Sequence, residues 1–293
     1  MTVFEDLKIQ YKIGGVAIRL IFWNILFFVV PEVVFSLSKL FSIHIDYFNY
    51  VSLSSNSINL LWKPWSILSY AFFHSGILHL IMNMLMLFYV GRLFTTFFTE
   101  KQLFGTYILG AIFSGVIFII GYTFLPALIN VNTDMIGASG AIMTILIATV
   151  TYQPFMEVRL FGIWKFSLWQ LAFLFLFIDM IQLSMNNTGG HIAHLAGALF
   201  GFIYIKLLIN GTDLSTIVTR VIDFFVTLFQ PKKKTPFKKV HINPKKAVTK
   251  SQSKIVIKDK TQQQIDEILD KISQSGYDSL TAEEKEFLFK AGK

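Results

Sequence analysis

Apolar side chains fill six stretches of this chain, and polar residues crowd into the connections between them. The stretches run near residues 16–35, 77–93, 104–125, 139–151, 166–183 and 191–208. The hydrocarbon core of a bilayer takes about 20 helical residues, so the pattern predicts an all-α membrane protein with six transmembrane helices. The fourth stretch is short. From Gly137 to Tyr152 it rises only about 24 Å at roughly 1.5 Å per residue. One of its ends is therefore expected below the membrane surface, shielded by protein or water, because lipid satisfies no free backbone groups.

Beyond Asn210 the periodicity changes. Leu214, Ile217, Val218, Val221, Ile222 and Phe225 recur at helical spacing beside Thr216, Thr219, Arg220 and Asp223. That pattern predicts an amphipathic helix on the membrane surface over residues 210–230. A lysine-rich linker follows over 231–260. Ile265, Ile268, Leu269 and Ile272 then form one helical stripe, and the run from Ser279 to Glu284 carries an N-cap signal for a second helix with Phe287 and Leu288. The expected organisation is an N-terminal segment over 1–15, a six-span domain over 16–209, the interfacial helix, the basic linker, and a small helical module over 261–293.

Composition agrees with the pattern. The chain is 54% apolar and only 15% charged, where soluble domains carry about 25% charge. It has no cysteine, which excludes disulfides and thiol chemistry. Charge adds an orientation. Lys8, Lys12 and Arg19, then Arg92 and Lys101, then Arg159 and Lys165, and finally the lysine-rich tail all fall on one side of the predicted membrane. The opposite connections hold only Lys39 and Lys63. Cytoplasmic loops carry the Lys/Arg excess, so both termini and the helical tail are expected in the cytoplasm. Trp62 and Trp65 suit an interfacial belt on the external side, within a loop over 36–76 expected to lie partly in the membrane. The net charge of +8 belongs mainly to the tail. A tethered basic segment beside a bilayer points to anionic lipid rather than nucleic acid.

With that orientation, His79, Asn83, Ser139 and His194 all fall at a similar shallow depth below the external face. Polar groups at such depth are costly and call for a reason. Ser139 heads a helix, where free backbone N–H groups favour negative charge. Gly137 and Gly140 beside it allow close approach. His194 is a candidate base for the hydroxyl, and His191 its rival. His79 and Asn83, four residues apart, share a helix face and are candidate hydrogen-bond donors to an oxyanion. Each residue also has an ordinary reading. Serine bonds helix carbonyls, asparagine joins helices, and Gly197-x-x-x-Gly201 is a packing motif. Asp179, near the external end of the fifth stretch, could orient His194 as the acid of a triad does, but reads rather as a loop-capping or solvated residue. A metal site from His74, His79, His191, His194 and Asp179 lacks compelling spacing, so neither a metal nor another cofactor is expected.

Three motifs in order carry a resemblance. His79-Leu80-Ile81-Met82-Asn83 reads H-x-x-x-N. Gly137-Ala138-Ser139-Gly140 reads G-x-S-G. His194-Leu195-Ala196-Gly197, continuing to Gly201, reads H-x-x-G-x-x-x-G. Together they resemble the rhomboid intramembrane serine proteases over the six stretches. The resemblance implies a rhomboid-like bundle and a Ser139–His194 dyad without an acidic third member. It also implies an oxyanion hole from Asn83, His79 and the Ser139 amide. Substrates would be transmembrane proteins cut near their external end, and the protein a multi-pass one of a bacterial inner membrane. The chain departs from the pattern at Ser66, where the family often has arginine after Trp65. It departs again at Met143, where a tyrosine often supports the histidine. A non-catalytic rhomboid-like escort of membrane proteins is the alternative. The stretch from Ile268 to Thr281 resembles a short C-terminal module attached to some bacterial rhomboid-like proteins, and no activity follows from it.

Overall fold

A computed structural model describes residues 2–43, 46–160, 164–185, 187–229 and 260–291, most of them helical. The helices are α1 (Val3–Ile13), α2 (Gly15–Leu40), the short α3 (Phe48–Val51), α4 (Asn59–Trp62) and α5 (Ser66–Ser69), then α6 (Ile77–Thr95), α7 (Glu100–Phe124), α8 (Ser139–Tyr152), α9 (Leu168–Gln182), α10 (Thr188–Ile209), α11 (Ser215–Phe229), α12 (Lys260–Ser275) and α13 (Ala282–Ala291). Two small antiparallel pairs accompany them, β1 (Leu53–Ser54) with β2 (Asp134–Met135) and β3 (Glu157–Leu160) with β4 (Trp164–Ser167). The chain divides into two compact units, residues 1–232 and 233–293.

In the larger unit each of the six apolar stretches forms a helix. Four of these, α2, α6, α7 and α10, are long and apolar enough to cross a membrane. The other two are shorter: α8 has 14 residues and α9 has 15. Helix α9 begins later than hydrophobicity alone predicts because Phe166 and Ser167 are taken up by β4, where they face Val158 and Glu157 of β3. Ser167 then caps α9 in a box with Gln170.

Helix α8 is the centre of the bundle. Every residue from Gly140 to Thr149 is buried, so the helix is enclosed on all sides, with α6, α7 and α10 against it. A helix apolar all round belongs in such a place. The seam between α8 and α10 is built from glycine. A β-carbon at Gly197 would strike the Gly140 carbonyl, and one at Gly201 would strike the Thr144 carbonyl. The Thr144 hydroxyl turns back to donate to the Gly140 carbonyl at 3.0 Å. Small residues of this kind let helix backbones meet in a membrane, where hydrophobicity does not drive helices together. Helix α2 is the opposite case. It buries only Ala17, Leu20 and Asn24 and leaves Trp23, Leu26, Val30 and Val33 exposed. So much bare apolar surface suits lipid.

The connection from α2 to α6 is fastened to the bundle. β1 pairs with β2, and the Ser55 amide donates to the Thr133 carbonyl at 2.9 Å. Two buried tyrosines pin the chain to α7: Tyr70 donates to the Ala111 carbonyl at 2.6 Å, and Tyr107 of α7 donates to the Ala71 carbonyl at 2.7 Å. Ser66, where the family often has arginine, is buried and leaves little room for a guanidinium. Lys63 supplies a tie instead, donating to the Asn49 backbone and side-chain oxygens at 2.8 and 2.6 Å. Trp62 and Trp65 stay exposed, as interfacial anchors do.

Two helices were not foreseen in this form. α1 forms within the polar N-terminus, capped by a Thr2–Glu5 box. α11, expected to lie on a membrane surface, is tied to α7. Gly105 admits Ser215 at close range. Asp213 accepts from the Ser215 amide at 2.9 Å, its hydroxyl at 2.6 Å and Gln102 at 3.0 Å. Val218 is buried there, while Ile217, Val221, Phe224 and Phe225 remain exposed.

The smaller unit holds α12 and α13. Among the described residues, Ile268 and Leu280 are its buried apolar ones. Thr281 and Glu284 form the expected cap, and Lys271 pairs with Glu284 at 2.8 Å. The lysines at 232–246 lie outside the described residues.

Candidate active site

The heads of α6, α8 and α10 open onto one cavity of about 650 Å³. His79 and Asn83 reach it from α6. Gly137, Ser139, Gly140 and Met143 reach it from α8 and the turn before it. His194 reaches it from α10 and Asp179 from α9. The four residues that hydropathy placed at one depth therefore share one wall-lined space.

Local structure explains how each arrives. The chain enters α8 from β2, and the Gly137 amide donates to the Tyr70 carbonyl at 2.9 Å. Gly137 has φ +127°, a region that glycine adopts freely. A β-carbon there would lie 2.7 Å from the His79 ring, so the same glycine lets the imidazole sit over the turn. Ser139 is the first residue of α8, and its N-cap makes no side-chain hydrogen bond. The first amides of a helix have no intrahelical acceptor, which leaves donors beside the Ser139 hydroxyl. The His79 ring meets the Ser75 hydroxyl at 3.1 Å. Asn83 donates from Nδ2 to the His79 carbonyl at 2.9 Å, a bond that uses one of its two amide protons and orients the other. Met143 is buried one turn after Ser139 and lines the cavity. Gly197 and Gly201 do not line it. They set the spacing between the serine helix and the histidine helix.

Among the described residues no hydrogen bond joins Ser139 to His194. His194 is engaged from behind: its Nδ1 lies 2.8 Å from Asp179 Oδ1. His191 Nδ1 lies 2.8 Å from the same oxygen. Asp179 is buried, with 5% of its surface exposed. This corrects the reading of Asp179 as a loop-capping or solvated residue. The sequence carried a signal for it, since a carboxylate inside an apolar helix is costly unless partnered. What the sequence could not give was the turn that brings α9 against α10. α10 also starts at Thr188, earlier than hydropathy predicts, so His191 is buried within the helix rather than standing at its edge.

The five residues considered for a metal do not assemble. Asp179, His191 and His194 have ligating atoms within 4.8 Å of one another, but their 2.8 Å contacts are hydrogen-bond distances. His79 is not one of that group; its ring lies edge-on to His74 with centroids 5.1 Å apart. His74 itself is fully buried, and neither ring nitrogen has a partner among the described residues.

Comparison with known proteins gives the class. The family model described as Rhomboid domain matches residues 61–211, just over half of the chain. The chain belongs to the rhomboid family, and with its long apolar helices it is an integral membrane protein. A second model, a family of unknown function (DUF6576), matches residues 256–290. The chain is also similar to Presenilin-associated rhomboid-like protein A, mitochondrial, of Danio rerio. The two are 29% identical over 138 residues, which is 46% of this chain and 35% of that protein. The match thus spans about a third of the relative's length.

Proposed function

We propose that this protein is an intramembrane serine endopeptidase of six spans that cuts transmembrane segments of other membrane proteins near their external end. The observation that carries the reading is the convergence of Ser139, His194, His79 and Asn83 on one cavity at the heads of three helices. Family membership supports the reaction class. α8 and α9 are the fifth and sixth spans needed. At about 21–23 Å for 14 and 15 residues they fall short of a roughly 30 Å hydrocarbon core. A recessed head of α8 puts Ser139 below the surface, where the cavity gives it water. The basic connections put both termini in the cytoplasm and the cavity on the external side.

The reaction follows from the groups present. His194 takes the Ser139 proton as the hydroxyl oxygen attacks the scissile carbonyl. The oxyanion that forms is met by the Ser139 amide, the free Asn83 amide proton and His79, and donors of this kind act mainly in the transition state. His194 passes the proton to the departing amine. Water, its proton taken by the same imidazole, attacks the acyl carbonyl, and the imidazolium returns the proton to Ser139 Oγ as the acyl group departs as a carboxylic acid. A helical substrate hides its amides in its own hydrogen bonds, so segments that unwind easily are the substrates of choice. Loss of cleavage in Ser139→Ala and His194→Ala proteins that remain folded tests the assignment.

A further inference from the structure

Asp179 lies in the apolar helix α9, where an unpartnered carboxylate is strongly disfavoured. Both its partners come from α10. His191 and His194 are three residues apart on one helix face, and their Nδ1 atoms converge on a single oxygen, Oδ1, at 2.8 Å each. With Asp179 ionised, the carboxylate accepts and does not donate, and both contacts then require imidazoles that donate from Nδ1. A neutral imidazole protonated at Nδ1 has a bare Nε2. On His194 that leaves Nε2 as the nitrogen able to take a proton. The two rings are not equivalent. The His194 side chain is 23% exposed and lines the cavity, whereas that of His191 is 10% exposed and does not.

We propose that Asp179 is a positioning residue for the Ser139–His194 reaction. It fixes the tautomer and ring orientation of His194 and stabilises the imidazolium formed when Ser139 gives up its proton. His191 is the second donor that holds the carboxylate ionised and in place. The proton moves from Ser139 Oγ to His194 Nε2 and on to the leaving amine, and Asp179 stays ionised throughout, as the acid of a serine triad does. The proposal rests on the reading of Ser139 as nucleophile and His194 as base. It goes beyond it by giving the imidazole a third partner, which the dyad implied by the sequence motifs does not contain.

The test compares wild-type, Asp179→Asn and Ser139→Ala proteins in detergent on one transmembrane substrate. It adds the rate at which a fluorophosphonate labels Ser139. Asparagine keeps the size of the side chain but removes its charge and presents an amide donor to the rings. Expected in Asp179→Asn is a fall in kcat on the order of 10²–10⁴-fold, with KM little changed and labelling slowed in parallel. Wild-type kcat in Asp179→Asn overturns the proposal. A second measurement needs no variant to fold. In wild-type protein carrying ¹⁵N-histidine, His194 is expected to be protonated at Nδ1 and bare at Nε2. The opposite tautomer overturns the proposal. Full cleavage by Ser139→Ala would bring down the nucleophile assignment itself, and this inference with it. An inactive Ser139→Ala beside a fully active Asp179→Asn rejects the positioning role alone.

Discussion

Asn83 is held by its own helix and aimed by it. One amide proton of its side chain is committed to the His79 carbonyl at 2.9 Å, which fixes the plane of the group and leaves the second proton for the cavity. A donor prepared in this way strengthens as charge develops on a carbonyl oxygen and contributes little to a bound ground state. Asn83→Ala is therefore expected to lower kcat by about 10²–10³-fold while leaving KM near its wild-type value, measured on a transmembrane substrate in detergent. An equal rise in KM at constant kcat would assign Asn83 to substrate binding instead. Much of this site was legible at the residue scale. Ser139, His194, His79 and Asn83 were each visible as polar groups at matching depth in apolar stretches, because membrane burial makes such residues conspicuous. The Asp179 contact with His194 was open as one alternative, but neither its geometry nor the share that His191 takes in it could be read. Which histidine a carboxylate meets depends on how two helices approach, and periodicity along one helix does not contain that.

At the scale of elements, the spacing of α8 and α10 decides whether Ser139 and His194 share a cavity. That spacing is set by glycines facing backbone carbonyls. Gly201→Leu has no room against the Thr144 carbonyl, and the two helices must part. Overpacking of a fitted core typically costs about 1–3 kcal/mol. The expected result is a lower melting temperature in detergent together with lost activity. Gly76→Ala serves as the control, since a β-carbon there meets nothing within 4 Å. Equal melting temperatures for Gly201→Leu and wild type would contradict the seam. The Gly197-x-x-x-Gly201 motif announced this packing in the sequence. The β3–β4 hairpin was less legible, since Phe166 is as apolar as a span residue and only strand pairing shows that it precedes α9. The tie of α11 to α7 was hidden for a related reason. An amphipathic stripe shows that one face is apolar and does not say whether lipid or protein meets it.

For the whole molecule, the chain divides after α11, into residues 1–232 and 233–293. Asp213, Ser215 and Gln102 join α11 to α7, so the larger unit, residues 1–232, carries every residue assigned a part in the reaction. A protein truncated after Lys232 is expected to cleave a generic transmembrane substrate in detergent at the full-length rate. Loss of activity in a truncated protein that melts as the full chain does would make α12 and α13 part of the catalytic unit. Cutting after Ile209 is a poorer experiment, because it strips α11 from its seat on α7.

The central claim is that Ser139 attacks a peptide bond inside the membrane. Its most direct test is purified wild-type and Ser139→Ala protein reconstituted with one transmembrane substrate, with the products identified by mass. The account predicts a single cut near the external end of the substrate helix with wild type, and none with a Ser139→Ala protein of unchanged melting temperature. Cleavage at the same bond and rate by Ser139→Ala would contradict it.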